Sequence, residues 1–326
     1  MRKPWIVGVT GAVLAGLLLG ACGDPESAPE QAPPSAAAPE PSSTTRQRAA
    51  TGSPGNGGGT GGADADTGTG TGTGTTKPAP GVLYLGDSLA TENQTVLGDL
   101  LKDDLGARYT SAPYSGTTLC DYLEGTADRS LVPPRDKAAA LVRRLRPDYV
   151  VLQFWGNAWD YTPCMDGVTY GKARAEYFRR YTAAAEQLTD QIANAGGEHR
   201  PTIVWVLQGP DPMTPDRVRR VNALYTKQAR ASGDLVADAG KAVSPAADRY
   251  TWAQYLPCTA YEREHDGYCT QPGRGRTALH HDKDYLHFCL APTTSRPRPC
   301  PVRSPGITRM AREITRAIAD ARTDSP

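Results

Sequence analysis

The stretch Val82-Leu83-Tyr84-Leu85-Gly86-Asp87-Ser88-Leu89 changes character halfway along. Its first four residues are a short apolar run, which is typical of a strand covered on both faces of a parallel sheet. Gly86 then lets the backbone bend sharply, and apolar residues recur at helical spacing over 96–101. The stretch therefore predicts a strand, a tight turn and a helix that begins near Ser88.

The same alternation continues towards the C-terminus. Further strands are predicted near 108–110, 149–154, 202–207 and 235–238, and further helices over 136–145, 172–195, 216–231 and 307–321. Continuous apolar strands separated by helices imply a parallel sheet with helices on both faces, joined by right-handed crossovers. We predict a three-layer α/β/α sandwich over residues 81–326, with functional side chains in loops beyond the carboxyl ends of the strands.

Ser88 comes directly after the first strand, within Gly86-Asp87-Ser88-Leu89. A serine placed there lies at a helix N-terminus, where backbone N–H groups favour developing negative charge. The same tetrapeptide also suits a serine that merely caps the helix. The motif alone leaves nucleophile and cap as equal alternatives.

A carboxylate stands three residues before a histidine in Asp284-Tyr285-Leu286-His287. In a Ser–His–Asp arrangement, His287 takes the proton of Ser88 and later returns it to the leaving group. Asp284 orients the imidazole and stabilises its charged form. A solvated polar loop is the alternative interpretation of this stretch.

The same stretch also contains His280, His281 and Asp282, which together with Asp284 suggest metal binding as a minor alternative. Adjacent histidines point in different directions in an ordinary loop, and no strong third ligand pattern accompanies them. The sequence predicts no metal site and no cofactor.

Two polar turns follow the second and third predicted strands. Gly116, in Tyr114-Ser115-Gly116-Thr117, offers an N–H that a substrate oxygen can approach closely, and the Asn157 amide is a second donor. With the N–H of Ser88 they would form an oxyanion hole for a tetrahedral intermediate. Each of them is also an ordinary turn residue when taken alone.

These four blocks resemble the SGNH, or GDSL, hydrolase family, whose name lists Ser, Gly, Asn and His. The matching positions are Ser88, Gly116, Asn157 and His287, with Asp284 in the D-x-x-H position. The resemblance spans residues 81–326 and implies a flavodoxin-like sheet and metal-free ester hydrolysis. The chain departs from the family's G-x-N-D pattern in its third block, which reads Phe154-Trp155-Gly156-Asn157-Ala158.

The resemblance implies a serine esterase that acts on O-acyl esters, such as acetyl groups on cell-surface glycans or lipid esters. An O-acyltransferase, in which a sugar hydroxyl replaces water, would use the same triad. A non-catalytic binding domain on the same fold is the third alternative, although it would not need the serine, aspartate and histidine together.

The N-terminus is typical of a secretion signal. Arg2 and Lys3 precede an apolar stretch over 5–19, which ends in Leu19-Gly20-Ala21-Cys22 and resembles a bacterial lipobox. We predict a lipoprotein signal over residues 1–22, with Cys22 lipidated, and an ordinary cleaved signal and an uncleaved anchor are the alternatives. Each of these places the rest of the chain outside the cytoplasm.

Residues 23–80 are rich first in Pro, Ala and Ser and then in Gly and Thr, with almost no apolar side chains to bury. Such a segment cannot offset the entropy of ordering, so we predict a flexible tether to the outer face of the cell membrane. The net charge of +1 gives no reason to expect nucleic acid as a partner. Nothing in the sequence suggests an obligate assembly, so a monomer is expected.

Seven cysteines leave an even set of six once Cys22 carries lipid. Six cysteines in an oxidising compartment favour three disulfides, for which fifteen pairings are possible. Pairing between sequence neighbours is preferred over a zinc site because no C-x-x-C occurs. The predicted disulfides are Cys120–Cys164, Cys258–Cys269 and Cys289–Cys300.

Overall fold

The computed structural model describes residues 77–126, 129–158, 160–294 and 297–324. The predicted signal over 1–22, its Cys22 and nearly all of the predicted tether lie outside these ranges. They therefore stay predictions. Within the described residues, no helix is long and apolar enough to cross a membrane.

All five predicted strands and all five predicted helices are present. The central strands are β1 (Gly81–Gly86), β2 (Arg108–Ser111), β3 (Tyr149–Gln153), β4 (Thr202–Val206) and β5 (Leu235–Ala237). The helices are α1 (Ser88–Leu105), α2 (Ala138–Leu145), α3 (Arg174–Gly196), α4 (Pro215–Ser232), α5 (Ala239–Ala242), α6 (Ala260–Glu264) and α7 (Pro305–Asp324). The short helices α5 and α6 were not predicted, nor was the antiparallel pair β6 (Tyr255–Pro257) and β7 (Arg276–Ala278).

The central sheet is parallel throughout, with the strand order β2-β1-β3-β4-β5. This is the flavodoxin-like order. The chain leaves β1 towards β2 and then returns to pair β3 on the other side of β1. Loops that leave β1 and β3 at this reversal diverge, which opens a crevice at the carboxyl ends of the strands.

Helices cover both faces of the sheet. Successive strand residues point to opposite faces, so alternate residues of one strand enter different cores. Leu83, Val150 and Trp205 pack with α2, α3 and α4, whereas Tyr84 and Val151 pack with α1 and α7. The predicted α/β/α sandwich is confirmed.

Gly86 is required for a different reason from the one predicted. It ends β1 with no positive φ, so it does not provide a sharp bend. A Cβ at this position would lie 2.1 Å from the carbonyl oxygen of Gln153 on β3 and 2.5 Å from the Cβ of Ala90 on α1. Glycine is needed because α1 and β3 approach the end of β1 closely.

Gly86→Ala is expected to lower the free energy of unfolding by about 3 kcal/mol, because backbone atoms of β3 must shift to admit the methyl group. Urea unfolding measures the change. The control is Gly273→Ala, where a Cβ meets nothing within 4 Å and φ is not positive. That variant should change stability by less than about 0.5 kcal/mol. Equal stabilities for the two variants would contradict the close approach.

Candidate active site

Asp87 joins the turn after β1 to the turn after β3. Its Oδ1 caps α1 by accepting the N–H of Leu89 at 3.0 Å, and its Oδ2 accepts the N–H of Trp155 at 2.6 Å. Burial raises the pKa of Asp87 to about 6, although the Trp155 and Leu89 N–H groups act in the opposite direction. The carboxylate therefore positions both the start of α1 and the backbone that leads to Asn157.

Ser88, His287 and Asp284 form a continuous hydrogen-bonded chain. The Ser88 Oγ lies 2.9 Å from Nε2 of His287, and Nδ1 of His287 lies 2.9 Å from Oδ2 of Asp284. A carboxylate can only accept, so Nδ1 carries the imidazole hydrogen and Nε2 is left to accept the Ser88 hydroxyl. The three residues predicted from opposite ends of the sequence are brought together in the order that proton transfer needs.

The Asp284 carboxylate also shapes the turn that carries His287. Its Oδ1 accepts the N–H groups of Leu286 and His287, each at 3.1 Å, and its Oδ2 accepts the Thr293 hydroxyl at 2.7 Å. Burial opposes ionisation of Asp284, but the hydrogen bond and the charge of His287 hold its pKa well below the usual range. The group is a carboxylate throughout the neutral range.

The pKa of His287 is raised above its ordinary 6.5. Burial lowers it, but the hydrogen bond to Asp284 and the negative charge of Glu92 raise it by more. A histidine with this pKa accepts a proton readily and gives it up near neutral pH, as general base catalysis requires.

His280 supports the loop that carries His287. It is buried, its Nδ1–H donates to the carbonyl oxygen of His287 at 2.8 Å, and its ring lies between Trp252 and Phe288. Burial lowers its pKa to about 4, so the ring is neutral. Sequence reasoning weighed His280 only as a metal ligand and missed this role, because its partners lie on other segments.

The other side chains of that metal alternative also have protein partners. His281 Nδ1 accepts the N–H of Lys283 at 3.2 Å, and Asp284 holds His287. Among the residues that the structure describes, no three His, Cys, Asp or Glu side chains are grouped to hold a metal ion.

Gly116 and Asn157 line the same cavity as Ser88 and His287. The cavity has a volume of about 330 Å³, and its apolar wall is formed by Leu89, Trp155, Tyr161, Leu286 and Pro297. Gly116 has φ +78°, and a Cβ on it would lie 3.1 Å from the Tyr161 hydroxyl oxygen. All four blocks therefore meet at the crevice between β1 and β3.

The departure in the third block has a structural reason. Gly156 has φ +79°, and a Cβ there would lie 2.7 Å from the methyl groups of Val221 on α4. Ala158 is buried in the core on that face, where an aspartate would need a partner. This local path still brings Asn157 to the cavity.

The cysteines pair as predicted. Cys120–Cys164 joins the loop after β2 to the loop after β3, and these loops carry Gly116 and Asn157. Cys289–Cys300 closes the segment between His287 and α7, and Cys258–Cys269 closes a third loop. Two of the three disulfides therefore restrain segments that line the cavity.

Asp284→Asn is expected to lower the pKa of His287 by about one unit or more, because a neutral amide no longer stabilises the imidazolium. NMR titration of the imidazole protons measures this shift. Asp282→Asn is the matched control, since Asp282 is exposed on the same loop. An unchanged His287 pKa in the Asp284 variant would contradict the arrangement.

No protein-family model matches the chain, and no curated protein matches it. Similar solved structures include a family 3 carbohydrate esterase from Clostridium thermocellum, with 13% identity and a TM-score of 0.43 over 75% of this chain and 97% of that one. An M. smegmatis aryl esterase has 16% identity and a TM-score of 0.38 over 74% and 99% of the two chains. A member of the lipolytic protein G-D-S-L family from Veillonella parvula has 12% identity and a TM-score of 0.35 over 75% and 98%. The last name is that of the family which the four sequence blocks resemble, but similarities at this level carry no functional assignment to this chain.

Proposed function

We propose that this chain is a serine ester hydrolase with Ser88 as nucleophile, His287 as general base and acid, and Asp284 as the orienting carboxylate. The observation that carries the proposal is the Ser88–His287–Asp284 chain, with both hydrogen bonds at 2.9 Å, at the edge of an open cavity. A cap for α1 would not need this arrangement, and the capping role already belongs to Asp87.

In the proposed reaction, the Ser88 Oγ attacks the ester carbonyl carbon while its proton passes to Nε2 of His287. The N–H groups of Ser88 and Gly116 and the amide of Asn157 stabilise the oxyanion of the tetrahedral intermediate. When the intermediate collapses, the C–O bond to the alcohol breaks and His287 protonates the departing oxygen. Water, deprotonated by His287, then attacks the acyl-enzyme and releases the acid.

The cavity supports small acyl groups as substrates. Its volume of about 330 Å³ is near the lower end of the range usual for ligand pockets, and its wall is largely apolar. We propose short-chain O-acyl esters, with acetyl groups on cell-surface glycans as the leading class. The open mouth of the cavity would leave a bulky alcohol portion outside.

We further propose that the enzyme works outside the cytoplasm, held to the membrane by lipid on Cys22. The apolar N-terminal stretch that ends in Leu19-Gly20-Ala21-Cys22 supports this location. The three disulfides also support it, because such bonds persist in oxidising compartments. The Gly/Thr-rich segment after Cys22 would keep the catalytic domain clear of the lipid surface.

Ser88→Ala is expected to lower kcat/KM for p-nitrophenyl acetate on the order of 10⁴-fold, since the nucleophile is lost. Ser115→Ala is the matched control. Ser115 lines the same cavity, but its hydroxyl donates to Thr91 at 3.2 Å and makes no contact with His287. This control should retain activity within about tenfold. Equal rates for wild type and Ser88→Ala would refute the proposed function.

A further inference from the structure

Glu92 is a carboxylate that the reaction above does not use, although it lies close to the triad. It stands four residues after Ser88 on α1, so both side chains project from the same face of the helix, one turn apart. Its Oε2 is shielded from solvent and has no hydrogen-bond partner among the described residues. A buried, half-satisfied carboxylate is unfavourable for folding unless something else requires it.

Glu92 binds both ends of the disulfide-closed segment that follows His287. Its carboxylate accepts the N–H of Cys289, two residues after His287. Its main-chain carbonyl oxygen accepts the N–H of Cys300 at 3.1 Å. The helix that begins at Ser88 is thus attached through one residue to both halves of the Cys289–Cys300 disulfide.

The charge of Glu92 acts mainly on His287. Burial raises the pKa of Glu92 to about 7, whereas His287 lowers it and Asp284 raises it. Glu92 in turn raises the pKa of His287. Asp87, at the start of α1, also raises it, with a smaller effect.

The other elements packed around Glu92 bring no competing charge. The buried positions of α7, which packs against α1, are apolar residues, glycine and threonine. The arginines of the segment around Cys300, Arg298 and Arg303, are exposed. Within the described chain, His287 is therefore the cation that the Glu92 carboxylate serves.

We propose that Glu92 is a second carboxylate partner of His287, which fixes the backbone after the histidine and stabilises its imidazolium during the reaction. Glu92 touches neither the substrate nor the reacting atoms, so it is a positioning residue that acts through His287. The inference rests on the proposed function for its kinetic consequence but not for its electrostatic one.

The charge, rather than the hydrogen bond, is what makes this role testable. A glutamine in the same place would still accept the N–H of Cys289 through its amide oxygen and would avoid burying a carboxylate. A purely structural residue could therefore be replaced by glutamine without loss. A residue that stabilises the imidazolium could not.

Glu92→Gln is expected to lower the pKa of His287 by about one unit, because one of its two nearby carboxylate partners becomes neutral. The acid limb of the kcat/KM profile should move to lower pH by the same amount. The maximal rate should fall roughly tenfold, since a unit of pKa corresponds to a tenfold change in stabilisation of the charged imidazole. Asp99→Asn is the matched control, because it removes a carboxylate from an exposed position of the same helix.

NMR titration of His287 in wild type, Glu92→Gln and Asp99→Asn reads out the electrostatic effect without any substrate. A His287 pKa unchanged in Glu92→Gln would overturn the proposal, whatever the stability of the variant. A shifted pKa in an enzyme that hydrolyses no ester would support Glu92 while refuting the proposed function. A shift of equal size in Asp99→Asn would also overturn it, because the effect would then not be specific to Glu92.

Discussion

The close approach of β1 and β3 at Gly86 and Gln153 is the constraint on which the site depends. The next N–H along the chain, that of Asp87, donates to the carbonyl oxygen of Gln153 at 3.3 Å, and the Asp87 carboxylate accepts the N–H of Trp155. These contacts fix the direction in which the chain leaves both strands. Ser88 follows from one strand and Asn157 from the other, so their relative position is set before either loop contributes.

A second consequence concerns the charge around His287. Asp284, Glu92 and Asp87 all raise its pKa, while burial lowers it. Burial alone would favour the neutral ring and make it a poor proton acceptor, and full exposure would weaken every one of these charge interactions. The arrangement keeps the imidazole partly desolvated but surrounded by negative charge, which suits a group that must be neutral at rest and charged during the reaction.

The features that could be predicted from the sequence are those encoded locally. Apolar runs gave the five strands, and Asp284 and His287 share one turn, so their pairing needs no knowledge of the fold. The roles of Asp87, Glu92 and His280 could not be predicted, because each acts on a segment far away in sequence that only the sheet order brings near. Gly86 shows the same limit, since its position was predicted correctly but the atoms that exclude a side chain belong to β3 and α1.

The loop that carries His287 has no helix or strand of its own, so its geometry must come from side chains. Asp284 binds its backbone N–H groups, His280 binds the carbonyl oxygen of His287, and Glu92 binds the N–H of Cys289. The Cys289–Cys300 disulfide then limits how far the following segment can move away. Ser88 needs no such set, because its place at the start of an eighteen-residue helix is already rigid. The polar and covalent restraints are therefore concentrated on the half of the pair that regular secondary structure does not hold.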